Sequence, residues 1–301
     1  MLQRYDERNA DILYWVNGNL LHRDQPGLSP FDSVVQGGDA VWEGLRLYRG
    51  SIFGLTPHLA RLRKSALALG FSDIPTDVEI TDAITATLRA NKMSDGVHIR
   101  LTLTRGVKVT SGMDPRLNRA GPTLIVLAEY KPPVYDTGGL TLATSSIRRP
   151  SPDVLDPKIH HNNLINSILA KIEANASGAD DALMLDQRGF VAETNATHLF
   201  AVIAGALVTP TTVACPEGIT RQTVLELAAV HEIPAVVRDV SLTEMYAAGE
   251  VFCTGTMGEI AAVTTIDGRR IGNGEVGPVT ARLAKIYQEH AAAYGTRLIQ
   301  V

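Results

Sequence analysis

Apolar residues along the chain follow two periods, one of two positions and one of three to four, and the changes of period mark out the predicted elements. The helical period is clearest after Lys158, where Leu164, Ile165, Ile168, Leu169 and Ile172 recur on one side. Asn162 or Asn163 is placed to cap that helix and Gly178 to stop it, which predicts a packed, amphipathic helix. Residues 182–186 then read as a strand, 187–189 as a turn and 190–192 as the returning strand, so that Glu193 stands at a hairpin end. Before Lys158, the three prolines of 149–157 forbid a helix and stiffen the loop.

The same reading covers the rest of the chain. Asn17-Gly18 turns a hairpin over 14–20, and strands follow at 45–48 and 52–55. Thr56 and Pro57 open a helix as N-cap and first turn, with Leu59, Leu62, Ala66 and Leu69 inward and Gly70 as its end. A second helix spans about 77–91, followed by a strand over 96–106 that ends in a glycine turn and by a strand at 123–128. His98 and Arg100, two apart on a strand, point the same way. Strands at 199–203 and 206–209 precede a helix introduced by 216–221 and running to about 231, whose first N–H groups with Thr220 offer an anion seat. The strand 251–253 runs into Thr254-Gly255-Thr256-Met257-Gly258-Glu259, a second glycine-rich loop fit for an anion. Ser241 and Glu244 form a capping box, and Pro278 opens a last helix with Val279, Leu283 and Ile286 inward.

The Pro- and Gly-rich stretch 131–138 is the natural linker. It divides the chain into an N-terminal small α/β domain (1–130) and a larger C-terminal domain (139–301). At 301 residues and 45% hydrophobic, both can bury a core. A net charge of -4 without a basic run leaves no footprint for nucleic acid. No apolar run reaches a membrane span, the first residues do not read as a signal peptide, and two distant cysteines suit a reducing compartment. A soluble, cytoplasmic protein is expected. Cys215 and Cys253 lack metal-ligand spacing and any activating motif, which argues against a metal site and against a cysteine hydrolase.

Three blocks, taken together, resemble the class IV (fold type IV) pyridoxal-phosphate aminotransferases. They are Val41-Trp42-Glu43-Gly44-Leu45-Arg46 through His58-Leu59-Ala60-Arg61-Leu62, the segment from Lys158 to Phe200 around Glu193, and the loops at Ile219-Thr220 and Thr256-Met257. The resemblance implies a two-domain α/β (α+β) fold with the active site between domains, and pyridoxal 5'-phosphate as cofactor. It makes Lys158 the Schiff-base lysine and Glu193 the partner of the pyridine nitrogen. Arg61, Ile219, Thr220 and Thr256 would clamp the phosphate. Trp42, Arg46, His98, Arg100, Thr256 and Met257 would face the substrate.

Several positions depart from the family pattern, among them Gly37, which stands where branched-chain enzymes often have a pocket tyrosine. His98 stands where branched-chain enzymes commonly have tyrosine, and Asn163 or Leu164 where a tyrosine often meets the cofactor's ring hydroxyl. Glu43-Gly44-Leu45-Arg46 and Arg100 favour a transaminase of branched-chain or similar apolar L-amino acids with a 2-oxo acid acceptor, as a homodimer or higher homo-oligomer. A D-amino-acid or (R)-amine transaminase and an aminodeoxychorismate lyase are the alternatives on this scaffold; a cofactor-binding protein without turnover is the non-enzymatic one.

Overall fold

The computed structural model describes residues 5–132 and 138–300. In chain order the strands are β1 (Leu13–Val16), β2 (Asn19–His22), β3 (Ala40–Tyr48), β4 (Ser51–Phe53), β5 (Val97–Thr104), β6 (Thr123–Tyr130), β7 (Leu140–Thr144), β8 (Asp181–Leu185), β9 (Val191–Thr194), β10 (His198–Ile203), β11 (Ala206–Thr209), β12 (Ala235–Val237), β13 (Glu250–Gly255), β14 (Glu259–Ile266), β15 (Arg269–Arg270) and β16 (Gly295–Arg297). The helices are α1 (Ser33–Gly37), α2 (Leu55–Ala68), α3 (Asp77–Ala90), α4 (Pro152–Leu155), α5 (Ile165–Ala176), α6 (Ile219–Val230), α7 (Leu242–Ala247) and α8 (Pro278–Ala293).

Two compact units result, one of residues 5–132, 159–163 and 291–300, the other of 138–158 and 164–290. Two segments assigned by sequence to the C-terminal domain therefore belong with the first unit. Residues 159–163 lie along β3, and β16 pairs with β4. Residues 133–137 of the proposed linker lie outside the described residues.

The first unit holds an antiparallel sheet in the order β16-β4-β3-β5-β6-β1-β2. Because successive strand side chains alternate in direction, Leu45, Leu47, Ile99, Leu101 and Val126 share one face, which joins Leu59 and Leu62 of α2 and Ile80, Ile84 and Leu88 of α3 in one core. Burying each such side chain stabilises the unit by roughly 1.5–3 kcal/mol. The opposite face carries Trp42, Gly44 and Arg46, with Arg100 directly across from Gly44 and His98 across from Arg46. Thr76 and Glu79 close a capping box on α3. Thr56 does not cap α2; Gly54 does, at φ 67°, a conformation that glycine adopts without strain.

The second unit is built on a sheet in the order β12-β11-β10-β13-β14-β7-β8-β9, with β15 added to β14. Its core includes Leu140, Leu142, Leu183, Leu199, Val251, Val263 and Ile266. Two expectations are corrected here. Pro152, at the first position of α4, opens one helical turn where the prolines were expected to exclude helix, because proline's fixed φ and missing N–H cost nothing at a helix start. On α5, the small Ala170 and Ala174 face inward, packing with Ala182 and Met184 of β8, while Ile165, Ile168, Leu169 and Ile172 are 44–59% exposed. The apolar stripe thus faces outward in the single chain. Leu164 occupies the N-cap of α5 without a side-chain bond, and Asn162 instead accepts a hydrogen bond from Arg100.

Candidate active site

In the second unit the chemistry gathers at the turn from β9 to β10. Thr194 and Thr197 close that turn, with the Thr194 N–H donating to the Thr197 carbonyl at 2.7 Å and their hydroxyls 2.8 Å apart. Glu193, next to the end of β9, is 5% exposed. A carboxylate so buried needs a cation, and Arg149 supplies it, with Nη2 2.7 Å from Glu193 Oε1. Asn166, Ser167 and the Ala214 carbonyl accept from the rest of that guanidinium and fix its plane. Arg149 is the functional residue that sequence reasoning missed. Nothing in its spacing from Glu193 announces the pair.

Two glycine loops converge on Thr197 and His198. A Cβ at Gly218, the N-cap of α6, would lie 2.5 Å from His198 Cε1, and one at Gly255 would lie 3.1 Å from Thr197 Cγ2. Only bare backbone allows the first approach, and it places the start of α6, with buried Thr220, beside the turn. The N–H groups of a helix's first turn have no partner within the helix, so a phosphate suits them. Thr254, just before the Gly255–Gly258 turn, has a buried hydroxyl with no hydrogen-bond partner among the described residues. Ile219 and Thr220 are the first residues of α6, and Thr256 and Met257 lie in the turn between β13 and β14.

Lys158 closes this unit's segment 138–158, its backbone N–H held by Asp156 Oδ1 at 2.9 Å. Its charge reaches the Cys215 thiol, which burial first, and then Glu193, push up against the opposing pull of Arg221, Arg149 and Lys158. Lys158 and Glu193 thus act in opposite senses on one thiol, Cys215, which precedes α6. Glu193, His198 and Cys215 offer ligand atoms within 4.8 Å of one another, a set that could hold a metal ion, but Arg149 already supplies a positive charge to Glu193. Cys215 and Cys253 are both buried free thiols, and burial raises Cys253 as well, to about 12, which fits the inert role expected of them.

In the first unit, Glu43 lies on the core face of β3 and is fully buried. Arg61 Nε donates to its Oε1 at 2.8 Å and Arg61 Nη2 to its Oε2 at 2.6 Å, while His58 Nδ1 lies 2.6 Å from Oε2. Burial opposes ionisation of Glu43, yet the neighbouring His160 ring and Arg61 guanidinium outweigh it and hold the carboxyl well below its usual range. Arg61 is accordingly oriented by a bidentate carboxylate, which locks a planar fork in one pose. His58 is 2% exposed.

On the other face of β3, the Arg100 guanidinium lies 3.7 Å from the Trp42 ring centroid, and Nη2 donates to Asn162 Oδ1 at 2.6 Å. Burial lowers Arg100 to about 10, so it stays cationic near neutral pH. Arg46 is buried and donates to the Lys131 carbonyl at 3.3 Å. His98 is 8% exposed, and among the described residues neither ring nitrogen has a hydrogen-bond partner. Trp42, Arg46, His98 and Arg100 are thus brought to one electropositive face, suited to a carboxylate. Asn163 is exposed and follows Asn162 in the strap along β3.

A family model described as Amino-transferase class IV matches residues 40–266. The chain is 56% identical over 282 residues, 93% of its length, to "Branched-chain-amino-acid aminotransferase-like protein 2" of Arabidopsis thaliana, and spans 50% of that relative's length. It is 39% identical over 287 residues to the "Putative branched-chain-amino-acid aminotransferase" of Methanocaldococcus jannaschii, covering 94% of this chain and 98% of the relative. Among solved structures, the branched-chain amino acid aminotransferase from Thermobaculum terrenum in its PLP-form superposes with a TM-score of 0.84 at 30% identity, covering 94% of this chain and 95% of that one.

Proposed function

The chain belongs to the class IV aminotransferases, and on that premise we propose that it is a pyridoxal-phosphate-dependent transaminase acting on branched-chain or similarly apolar L-amino acids with a 2-oxo acid acceptor. The observation that carries the reading is the buried Glu193–Arg149 pair beside the two glycine loops, in the unit that carries Lys158. That donor set fits the cofactor: a carboxylate for a ring nitrogen, loop N–H and hydroxyl groups for a phosphate, and an amine.

Bound pyridoxal phosphate supplies an electron sink for the pair left when the substrate Cα loses its proton. Glu193 would sit against the ring nitrogen, with Arg149 fixing the carboxylate. Ile219, Thr220, Thr256 and Arg61 would hold the phosphate. Lys158, as the free amine, accepts the proton at the substrate Cα and returns it elsewhere in the same half-reaction. Trp42 gives apolar contact, and His98, Arg46, Arg100 and Met257 line the substrate side. Asn163 is the residue of this chain proposed for the ring hydroxyl.

A homodimer is part of the proposal. Four large apolar side chains on α5 stand 44–59% exposed, which a second copy would cover. A cytoplasmic setting is supported by the two free, buried thiols.

The test is a visible absorbance scan of purified protein with pyridoxal phosphate, then L-leucine, D-alanine and (R)-1-phenylethylamine in separate cuvettes. The expected result is a yellow protein bleached by L-leucine alone, with release of its oxo acid, and a Lys158→Ala variant without turnover. A protein that stays colourless with added cofactor, a response confined to the D-amino acid or the amine, or an active Lys158→Ala variant would overturn the reading.

A further inference from the structure

The chain passes from Lys158 directly into a five-residue strap, 159–163, that is fastened along β3. The Trp42 N–H donates to the His160 carbonyl at 3.0 Å, the Asn162 N–H to the Ala40 carbonyl at 2.7 Å, and the Trp42 indole N–H to the His161 carbonyl at 3.0 Å. Val41 and His161 form a β-bridge. The strap is also fastened to α2, because the His160 N–H donates to Ser65 Oγ at 3.0 Å, one helical turn beyond Arg61.

The His160 side chain adds a tie of a different kind. Its Nδ1 lies 2.5 Å from the Trp42 carbonyl oxygen and 3.4 Å from Glu43 Oε1. A carbonyl only accepts, so Nδ1 carries the proton. The ring stacks on the Trp42 indole, centroids 4.4 Å apart at 26°. Burial, and then the Arg61 charge, lower the His160 ring from its ordinary value against the pull of Glu43. One imidazole therefore touches the residue that fastens the strap and the carboxylate that orients Arg61.

We propose that His160 is a positioning residue: through Trp42 and Glu43 it sets at once the path of the segment leaving Lys158 and the orientation of Arg61. The inference rests on the roles given above to Lys158 as the reactive amine and Arg61 as a phosphate anchor. It requires no contact of His160 with substrate or cofactor. Removing the ring should loosen both groups together, whereas a loss of packing elsewhere in the same core should move neither.

The experiment compares His160→Ala, His160→Asn and Ile84→Val. Asparagine can present an N–H close to the Nδ1 position, and Ile84 is a fully buried core residue of α3. Two quantities are read: the dissociation constant of pyridoxal phosphate, and the pH midpoint of the visible absorbance of the bound cofactor, which reports the surroundings of Lys158. His160→Ala should weaken cofactor binding about five- to tenfold, the range for losing one net hydrogen bond, and shift the midpoint. His160→Asn should recover both to within about twofold. Ile84→Val should lower the melting temperature and leave both unchanged.

A His160→Ala protein that matches Ile84→Val in both readouts overturns the proposal. Should His160→Ala fail to fold, Ser65→Ala, which removes only the strap's hydroxyl anchor, must shift the midpoint in the same direction, and wild-type values there overturn the proposal equally. Wild-type protein that binds no cofactor overturns the parent reading, and this inference with it.

Discussion

His98 makes a quantitative claim about pH. It lies directly across from Arg46 and two positions from Arg100, buried, and among the described residues neither ring nitrogen has a hydrogen-bond partner. Burial, followed by the charges of Lys131, Arg100 and Arg46, pushes its ring from 6.5 down to about 3. In the unfolded chain the ring titrates normally, so between these two values the unfolded state holds more protons than the native one. Stability then rises with pH across that window, and it is lost as the pH falls below about 6.5. Going from about pH 7.5 to about pH 5.5, this single group should remove roughly 1.4 kcal/mol. His98→Gln keeps a polar side chain and removes the titration. Both tryptophans, Trp15 and Trp42, lie in the same unit, so urea unfolding followed by tryptophan fluorescence reads that unit. Wild type should lose about 1.4 kcal/mol more than His98→Gln over the interval. Parallel pH profiles would show that the ring is protonated in the native state, and the burial argument would fail.

Gly218→Ala forces a Cβ to within 2.5 Å of His198 Cε1, so either the ring or the α6 loop must move. Equilibrium titration should show cofactor binding weakened by about 1–3 kcal/mol, and unchanged affinity would mean that His198 turns aside freely. Ile168→Asp, at a position 50% exposed on α5, should leave the fold intact and shift sedimentation toward the monomer. A variant that sediments like wild type would remove α5 from any interface.

The elements were largely legible because the two apolar periods differ and each was kept long enough to read. Capping was legible where a side chain does the capping, as in Ser241 with Glu244, and was misread where a glycine does it, as at Gly54 in place of Thr56. The apolar stripe of α5 was correct as a pattern and wrong as a direction. Periodicity shows that a helix has an apolar side but cannot say whether its own chain covers that side, and Ala170 and Ala174, weakly apolar, form the inward face. The unit boundaries failed for a related reason. Residues 159–163 and 291–300 pair through their backbone with β3 and β4, and Ile159, Leu298 and Ile299 pack against the first unit's core, but neither segment carries a period that says which core it joins.

The site's polar groups divide along the same line. Glu43 follows Val41 and precedes Leu45 in the alternation of β3, so its position on the core face was implicit in the sequence. A carboxylate at an inward position demands cations, and His58 and Arg61, three apart at the start of the neighbouring helix, are spaced to meet one. Glu193 poses the identical electrostatic demand, yet its cation, Arg149, comes from a proline-stiffened loop 44 positions earlier, and no period connects a loop to a strand. Charge balance at a buried carboxylate can therefore be anticipated from sequence in both places, but the partner can be named only where both groups sit on regular elements. For that reason Arg61 entered the site through a motif and gained its orienting carboxylate from alternation, whereas the Glu193–Arg149 pair required the fold.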